Sequence, residues 1–226
     1  MSDKADGKDE LKHVSEALSR SEQFIEKNQK NILIGLGAIC IIVAGAVFYR
    51  HTVLGPKEKA AEEMIFVGEQ YFAIDSFQVA LNGNGADYIG FEGIIDEYGS
   101  TKTAKLAAAY AGLCYKCMGN YEKAIEYLKK SDGEDMMVSP SLVGSIGDCY
   151  VEMGNIEKAT DYFEKAGATK NGLLAPIYLM KAARAYESLH KYDKALKTYE
   201  QIKSKYPLSQ EGTDIDKYIE RAKTMK

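Results

Sequence analysis

Three tyrosines set the plan of this chain. Gly112-Leu113-Cys114-Tyr115 lines up with Gly147-Asp148-Cys149-Tyr150 and with Ala183-Arg184-Ala185-Tyr186, at spacings of 35 and 36 residues. A fixed period of this length means stacked supersecondary units, because one such unit cannot bury its apolar face alone. The surroundings repeat in step. After each tyrosine come Gly119, Gly154 and His190, then Tyr121, Ile156 and Tyr192, then Ala124, Ala159 and Ala195, and finally Leu128, Phe163 and Tyr199. Each unit therefore reads as two helices joined at Gly119-Asn120, Gly154-Asn155 or His190-Lys191. The alanine admits close approach of the paired helix, and the large residue fills the space beside it.

A weaker unit precedes these three. Gly68, Tyr71, Phe77 and Ala80 fit its first half, and Phe91, Ile94 and Tyr98-Gly99 fit its second half once about seven extra residues around Asn82-Gly83-Asn84-Gly85 are set aside as an inserted loop. Ile215, Tyr218, Ile219 and Ala222 form a last apolar stripe on an otherwise charged helix, as a terminal cap requires. The expectation is an all-α solenoid with units at about 57–100, 104–138, 139–173 and 175–209 and a cap at 210–226.

Ahead of the repeats stands Ile32 to Tyr49, an uncharged apolar run with Lys30 before it and Arg50 after it. Its 18 residues reach roughly 27 Å as a helix, close to the ~30 Å hydrocarbon thickness of a bilayer. Lys27, Lys30 and Arg50 can snorkel to the headgroups. A buried core helix would show a polar face and lack the bracketing charges. A cleaved signal peptide is suggested by Ala44-Gly45-Ala46, but the six Lys/Arg and seven Asp/Glu of residues 1–30 are too many for its short positive leader. The run reads as an uncleaved single-pass anchor at 31–50 holding the lipid bilayer through residues 32–49, with residues 1–30 as a short tail. In that tail Leu11, Val14, Leu18 and Ile25 share one helical stripe, which gives either an amphipathic helix leading into the anchor or a solvated one that orders at a membrane or partner. Gly55-Pro56 is expected to end the spanning helix, with a new one starting near Lys57.

Composition narrows the chemistry. The net charge is −4 and the sequence pI about 5.6, with both signs interspersed, so the basic footprint of a nucleic-acid binder is missing. Cys40, Cys114, Cys117 and Cys149 are too few for a disulfide scaffold. Cys114-Tyr115-Lys116-Cys117 has CxxC spacing, yet a reactive pair sits at a helix N-terminus after a strand, where the dipole lowers the thiol pKa. This pair lies inside the first helix of a unit, and Cys149 repeats the position of Cys114, which is what packing produces. His13, His51 and His190 are too scattered for a metal site, and Asn82 to Asp87 lacks the terminal Glu of a calcium loop. No nucleophile motif or phosphate loop occurs, so no catalytic residue, cofactor or metal is assigned. What remains is a surface. Counting along the repeat places Leu113, Lys116 and Cys117, then Asp148, Val151 and Glu152, then Arg184, Glu187 and Ser188 on the groove lined by first helices, which either holds a segment of another protein or is filled by the cap or solvent.

At Gly112, Tyr115, Ala124, Tyr186 and Ala195, and most fully at Gly147, Tyr150, Gly154, Ala159, Phe163 and Ala166, the chain resembles the tetratricopeptide repeat family, and Pro207 adds its terminal proline. The early tryptophan of that family is replaced by Ala108, Val143 and Leu179. The resemblance implies a non-enzymatic protein-binding array, although the Lys/Asn clamp of members that grip chaperone C-termini is absent. The layout is also similar to the YfgM-type ancillary subunit family of the bacterial SecYEG translocon, through Phe24-Ile25-Glu26-Lys27-Asn28-Gln29-Lys30 and the span's close at Phe48-Tyr49-Arg50. That second resemblance implies an inner-membrane protein with a cytoplasmic N-terminus and periplasmic repeats, whose partners are SecYEG, periplasmic chaperones or exported chains. Two alternatives stand beside it: an anchored thiol redox helper using Cys114 and Cys117, and an anchored receptor whose repeats face the cytosol.

Overall fold

The computed structural model describes residues 27–131 and 135–226, so the tail stripe from Leu11 to Ile25 lies outside the described residues. The chain divides into two compact units, Met1–Pro56 and Lys57–Lys226. In the first, helix α1 runs over 27–49 and is followed by a π-helical turn, Arg50–Leu54. The helical run Lys27–Ala73 contains a window of mean hydropathy 2.6, long and apolar enough to cross a membrane by length and composition.

Gly55-Pro56 does not end that run, contrary to expectation. Gly55 keeps helical angles, φ −60° and ψ −50°, and its N–H donates to the Arg50 carbonyl five residues back. Proline has no N–H, and its ring collides with the carbonyl four residues earlier when the turn is α-helical. One wider π turn removes the conflict, and the backbone continues as α2, Gly55–Ala73.

Among the described residues the second unit contains no strand. After α2 come α3 (Phe77–Asn82), α4 (Gly90–Tyr98), α5 (Lys102–Cys117), α6 (Tyr121–Lys130), α7 (Val138–Glu152), α8 (Ile156–Gly167), α9 (Leu174–Ser188), α10 (Tyr192–Lys205), the short α11 (Gln210–Thr213) and α12 (Ile215–Met225). Helices α5 and α6, α7 and α8, and α9 and α10 pack as hairpins, each against the next, and α12 lies on α10. Left-handed glycines make the first two turns tight, Gly119 at φ +79° and Gly154 at φ +74°. Beside them Asn120 and Asn155 cap the second helices, their side-chain oxygens accepting from the Lys123 and Lys158 amides at 3.2 and 3.1 Å. In the third turn His190 takes φ +56°, and Lys191 provides no side-chain cap.

One contact recurs through the array. A Cβ built on Gly68, Gly112 or Gly147 would come within 2.6 Å or less of Phe91, Leu128 or Phe163, so each glycine seats the large residue of its partner helix. Ala183 and Tyr199 take these places in the last hairpin, both fully buried. The contact between Gly68 and Phe91 has the same form in the segment ahead of the three regular hairpins. There the second helix is split into α3 and α4, and the intervening loop closes on itself. The Asn84 side chain accepts from the Ala86 and Tyr88 amides, both at 3.0 Å, and the buried Tyr88 hydroxyl donates to the Ala80 carbonyl at 2.7 Å. Gly83 at φ +88° and Gly90 at φ +82° bring the loop ends into backbone contact, so the insertion leaves the stacking intact.

Candidate protein-binding groove

Lys116, Asp148 and Lys181 come from the first helices of three successive hairpins. Asp148 accepts from Lys116 at 3.1 Å and from Lys181 at 2.7 Å, so one carboxylate ties α5, α7 and α9 together. Beside this ladder a cleft of about 520 Å³ opens between α7 and α9. Ile156 and Phe163 from α8 form its apolar floor, and Val151, Glu152, Arg184 and Ser188 stand on its rim. The Lys181 ammonium lies 5.4 Å from the Phe163 ring centre, which holds a cation over the apolar floor.

The anticipated groove residues divide. Lys116, Asp148, Val151, Glu152, Arg184 and Ser188 meet at the cleft, whereas Leu113, Cys117 and Glu187 do not line it. Leu113 packs on the core instead. Glu187 turns toward the cap, where it pairs with Arg221 through both carboxylate oxygens. Arg184 also reaches the cap: it donates to the Tyr218 hydroxyl at 2.9 Å and sits 5.3 Å from that ring's centre. The cap thus takes one end of the first-helix surface and leaves the cleft between α7 and α9 open.

Sequence counting missed Lys181 and the floor residues. Lys181 stands 33 residues after Asp148, just as Asp148 stands 32 after Lys116, about one turn short of the period. Opposite charges offset by a turn on neighbouring helices were the available signal. Counting also missed the joints between hairpins. Glu92 on α4 accepts from Tyr115 at 2.6 Å and from Tyr127 at 2.7 Å, and Glu164 on α8 accepts from Tyr186 at 2.7 Å. Both glutamates directly follow the large residue of the repeat, and burial together with the adjoining carboxylate pushes the Tyr115, Tyr127 and Tyr186 hydroxyls above the usual phenol range.

The cysteines are free, with Cys114 and Cys149 buried and Cys117 exposed. Burial, with Cys117 nearby, pushes the Cys114 thiol up to about 12, and burial pushes Cys149 up to about 11. A nucleophilic thiol needs the opposite shift. Among the described residues no three His, Cys, Asp or Glu side chains gather as a metal donor set.

The tetratricopeptide repeat profile matches residues 111–135 and 141–166, and a second profile of the same repeat matches 178–209. The three matched segments are tetratricopeptide repeats. The matched segments fall on the three regular hairpins, the first of them starting midway along α5. The crystal structure of MamA protein is similar to this chain with a TM-score of 0.53 at 18% identity, over 76% of this chain and 88% of that one, which shows a shared fold. A thermophilic TPR protein in Thermus thermophilus aligns with a TM-score of 0.41 at 17% identity, over 81% of this chain and 94% of that one. No curated relative matches the chain in sequence. Tetratricopeptide repeats suggest a scaffold for protein–protein contact.

Proposed function

We propose that this protein is a membrane-anchored tetratricopeptide scaffold that holds a segment of another protein in the cleft between α7 and α9 and catalyses no reaction. The cleft carries the reading. Its apolar floor of Ile156 and Phe163 can take one side chain of a bound segment, while the Lys116–Asp148–Lys181 ladder and Glu152 offer charges of both signs to its flanks. The anchor is α1, whose apolar run has the length of a bilayer core. By its layout the protein belongs in the inner membrane, with the N-terminus cytoplasmic and the repeats periplasmic. Its partners are then the translocon, periplasmic chaperones or emerging exported chains. The redox alternative loses its footing in the buried Cys114, which stays protonated at neutral pH.

Two measurements test this reading separately. Val151→Glu with Ser188→Glu puts negative charge on the rim without touching the ladder, and should sharply reduce recovery of crosslinked partner proteins from solubilised membranes while helix content stays unchanged. Undiminished recovery would remove the cleft from the binding role. Protease added to intact spheroplasts should digest the chain beyond Arg50. Full protection would turn the repeats to the cytosol and favour the receptor reading.

A further inference from the structure

The first helices of the hairpins all begin at one edge of the repeat unit, where the second helices end. Glu58, in the first turn of α2, accepts from the Lys102 and Thr103 amides that open α5, at 2.9 and 2.8 Å. The Asn171 amide before α9 reaches the Met136 carbonyl before α7, at 3.5 Å. Successive turns are therefore neighbours along this edge, and Lys57, the first residue of the repeat unit, lies on it beside Glu58.

These turns expose large apolar side chains. Met136 is 61% exposed, Met137 53%, Val138 47%, Leu173 65% and Leu208 97%. Their spacing follows the repeat, so they form one row rather than scattered singles. Lysines flank the row at the ends of the second helices and in the turns. Among the described residues Lys129, Lys170 and Lys205 enter no ion pair, and Lys130 and Lys203 are paired to Glu126 and Asp216. The same turns also carry Asp132, Glu134, Asp135 and Glu211 in the sequence, and the Asp135 carboxylate accepts from the Met137 and Val138 amides. At the opposite edge the turns are Gly119-Asn120, Gly154-Asn155 and His190-Lys191. Among the described residues large apolar side chains exposed there are Ile74 at 72%, Met118 and Met153 at 40% each and Val151 at 39%.

We propose that the row Met136, Met137, Val138, Leu173 and Leu208 lies on the bilayer surface, with the flanking lysines at the phosphate level. This inference rests on reading α1 as an anchor. The chain enters the repeat unit from the anchor at Lys57, a residue of this same edge. Exposed apolar side chains with lysines beside them suit an interfacial contact, in which apolar groups enter the headgroup boundary and ammonium groups meet lipid phosphates.

The chain contains no tryptophan, so one introduced indole is the sole reporter. Full-length Leu173→Trp, Leu208→Trp and Ile74→Trp are reconstituted in phosphatidylethanolamine–phosphatidylglycerol vesicles with brominated acyl chains. For Leu173→Trp and Leu208→Trp the emission should shift to the blue and be quenched roughly twofold, as for a ring ~5–10 Å into the boundary. Ile74→Trp, about one first-helix length away at roughly 22 Å, should behave as in water. Equal quenching at all three positions, or at none, in vesicles that carry the protein overturns the inference. A blue shift without quenching overturns it in favour of a protein covering the edge. Failure of the unmodified chain to float with vesicles after carbonate washing would overturn the anchor reading itself, and this inference with it.

Discussion

Replacing Gly147 with alanine sets two effects of known size against each other. In the interior of α7 the substitution gains about 0.8–1.0 kcal/mol of helix propensity. The new Cβ, however, would lie 2.6, 2.7 and 3.2 Å from Cε1, Cδ1 and Cζ of Phe163, a ring only 3% exposed between α7 and α8. Overpacking of that kind costs about 1–3 kcal/mol, so the net result should be a loss near 1 kcal/mol, or about 2–4 °C in melting temperature for a unit of this size. Phe163→Ala alone should lose about 3–5 kcal/mol. In that background the sign should invert, because the added methyl no longer meets a ring and begins to fill the cavity, contributing about 0.8 kcal/mol on top of the propensity gain. Ala183 opposite Tyr199 shows that the array can house such a methyl where the hairpin is built around it. Urea unfolding of the four variants, followed by circular dichroism, measures the cycle. If Gly147→Ala stabilises the parent, or destabilises both backgrounds equally, the contact between glycine and aromatic is not what sets the spacing of the hairpin.

Other outcomes follow from the same structure. Residues 57–226 should form a soluble helical unit on their own, and Ala159→Arg, which drives a charge into a fully buried position between α7 and α8, should remove several kcal/mol of its stability in a thermal melt. Stability should fall on the alkaline side: the Cys114 and Cys149 thiols, raised to about 12 and about 11 from an ordinary 9.0, hold their stabilisation below pH 9 and lose it as pH rises toward the folded values, with the raised tyrosines joining above pH 10. A pH series of melts reads this directly, and a flat profile between pH 8 and 11 would contradict it. In the folded 57–226 unit a thiol reagent should label Cys117 quickly, and Cys114 and Cys149 only at the unfolding rate. Glu58→Gln should cost about 1 kcal/mol, since hydrogen bonds from Thr103 and Lys102 outweigh burial and hold this carboxyl below its ordinary value at the start of α5.

Much of the repeat array was legible because its determinants are local and recur. Glycine before tyrosine, alanine and then a large residue in the partner helix mark one hairpin contact, and Gly68 and Phe91 make a contact of the same form ahead of the regular hairpins. What escaped reading depends on meetings between distant segments. Glu92 looks like a surface residue until Tyr115 and Tyr127 converge on it, and Glu187 looks like a groove residue until α12 arrives with Arg221. The helix through Gly55-Pro56 is a different kind of miss. The local rule that proline breaks helices was sound, but a single π turn relieves the clash it rests on.

Photo-crosslinking from single positions of the full chain in its native membrane tests the scaffold reading most directly. A photoreactive residue at Val151 or Ser188, on the rim of the cleft, should yield discrete adducts with other polypeptides. One at Asp161, exposed on the outer helix α8, should yield none. Adducts of equal abundance from all three positions, or from Asp161 alone, would contradict a binding role for the cleft.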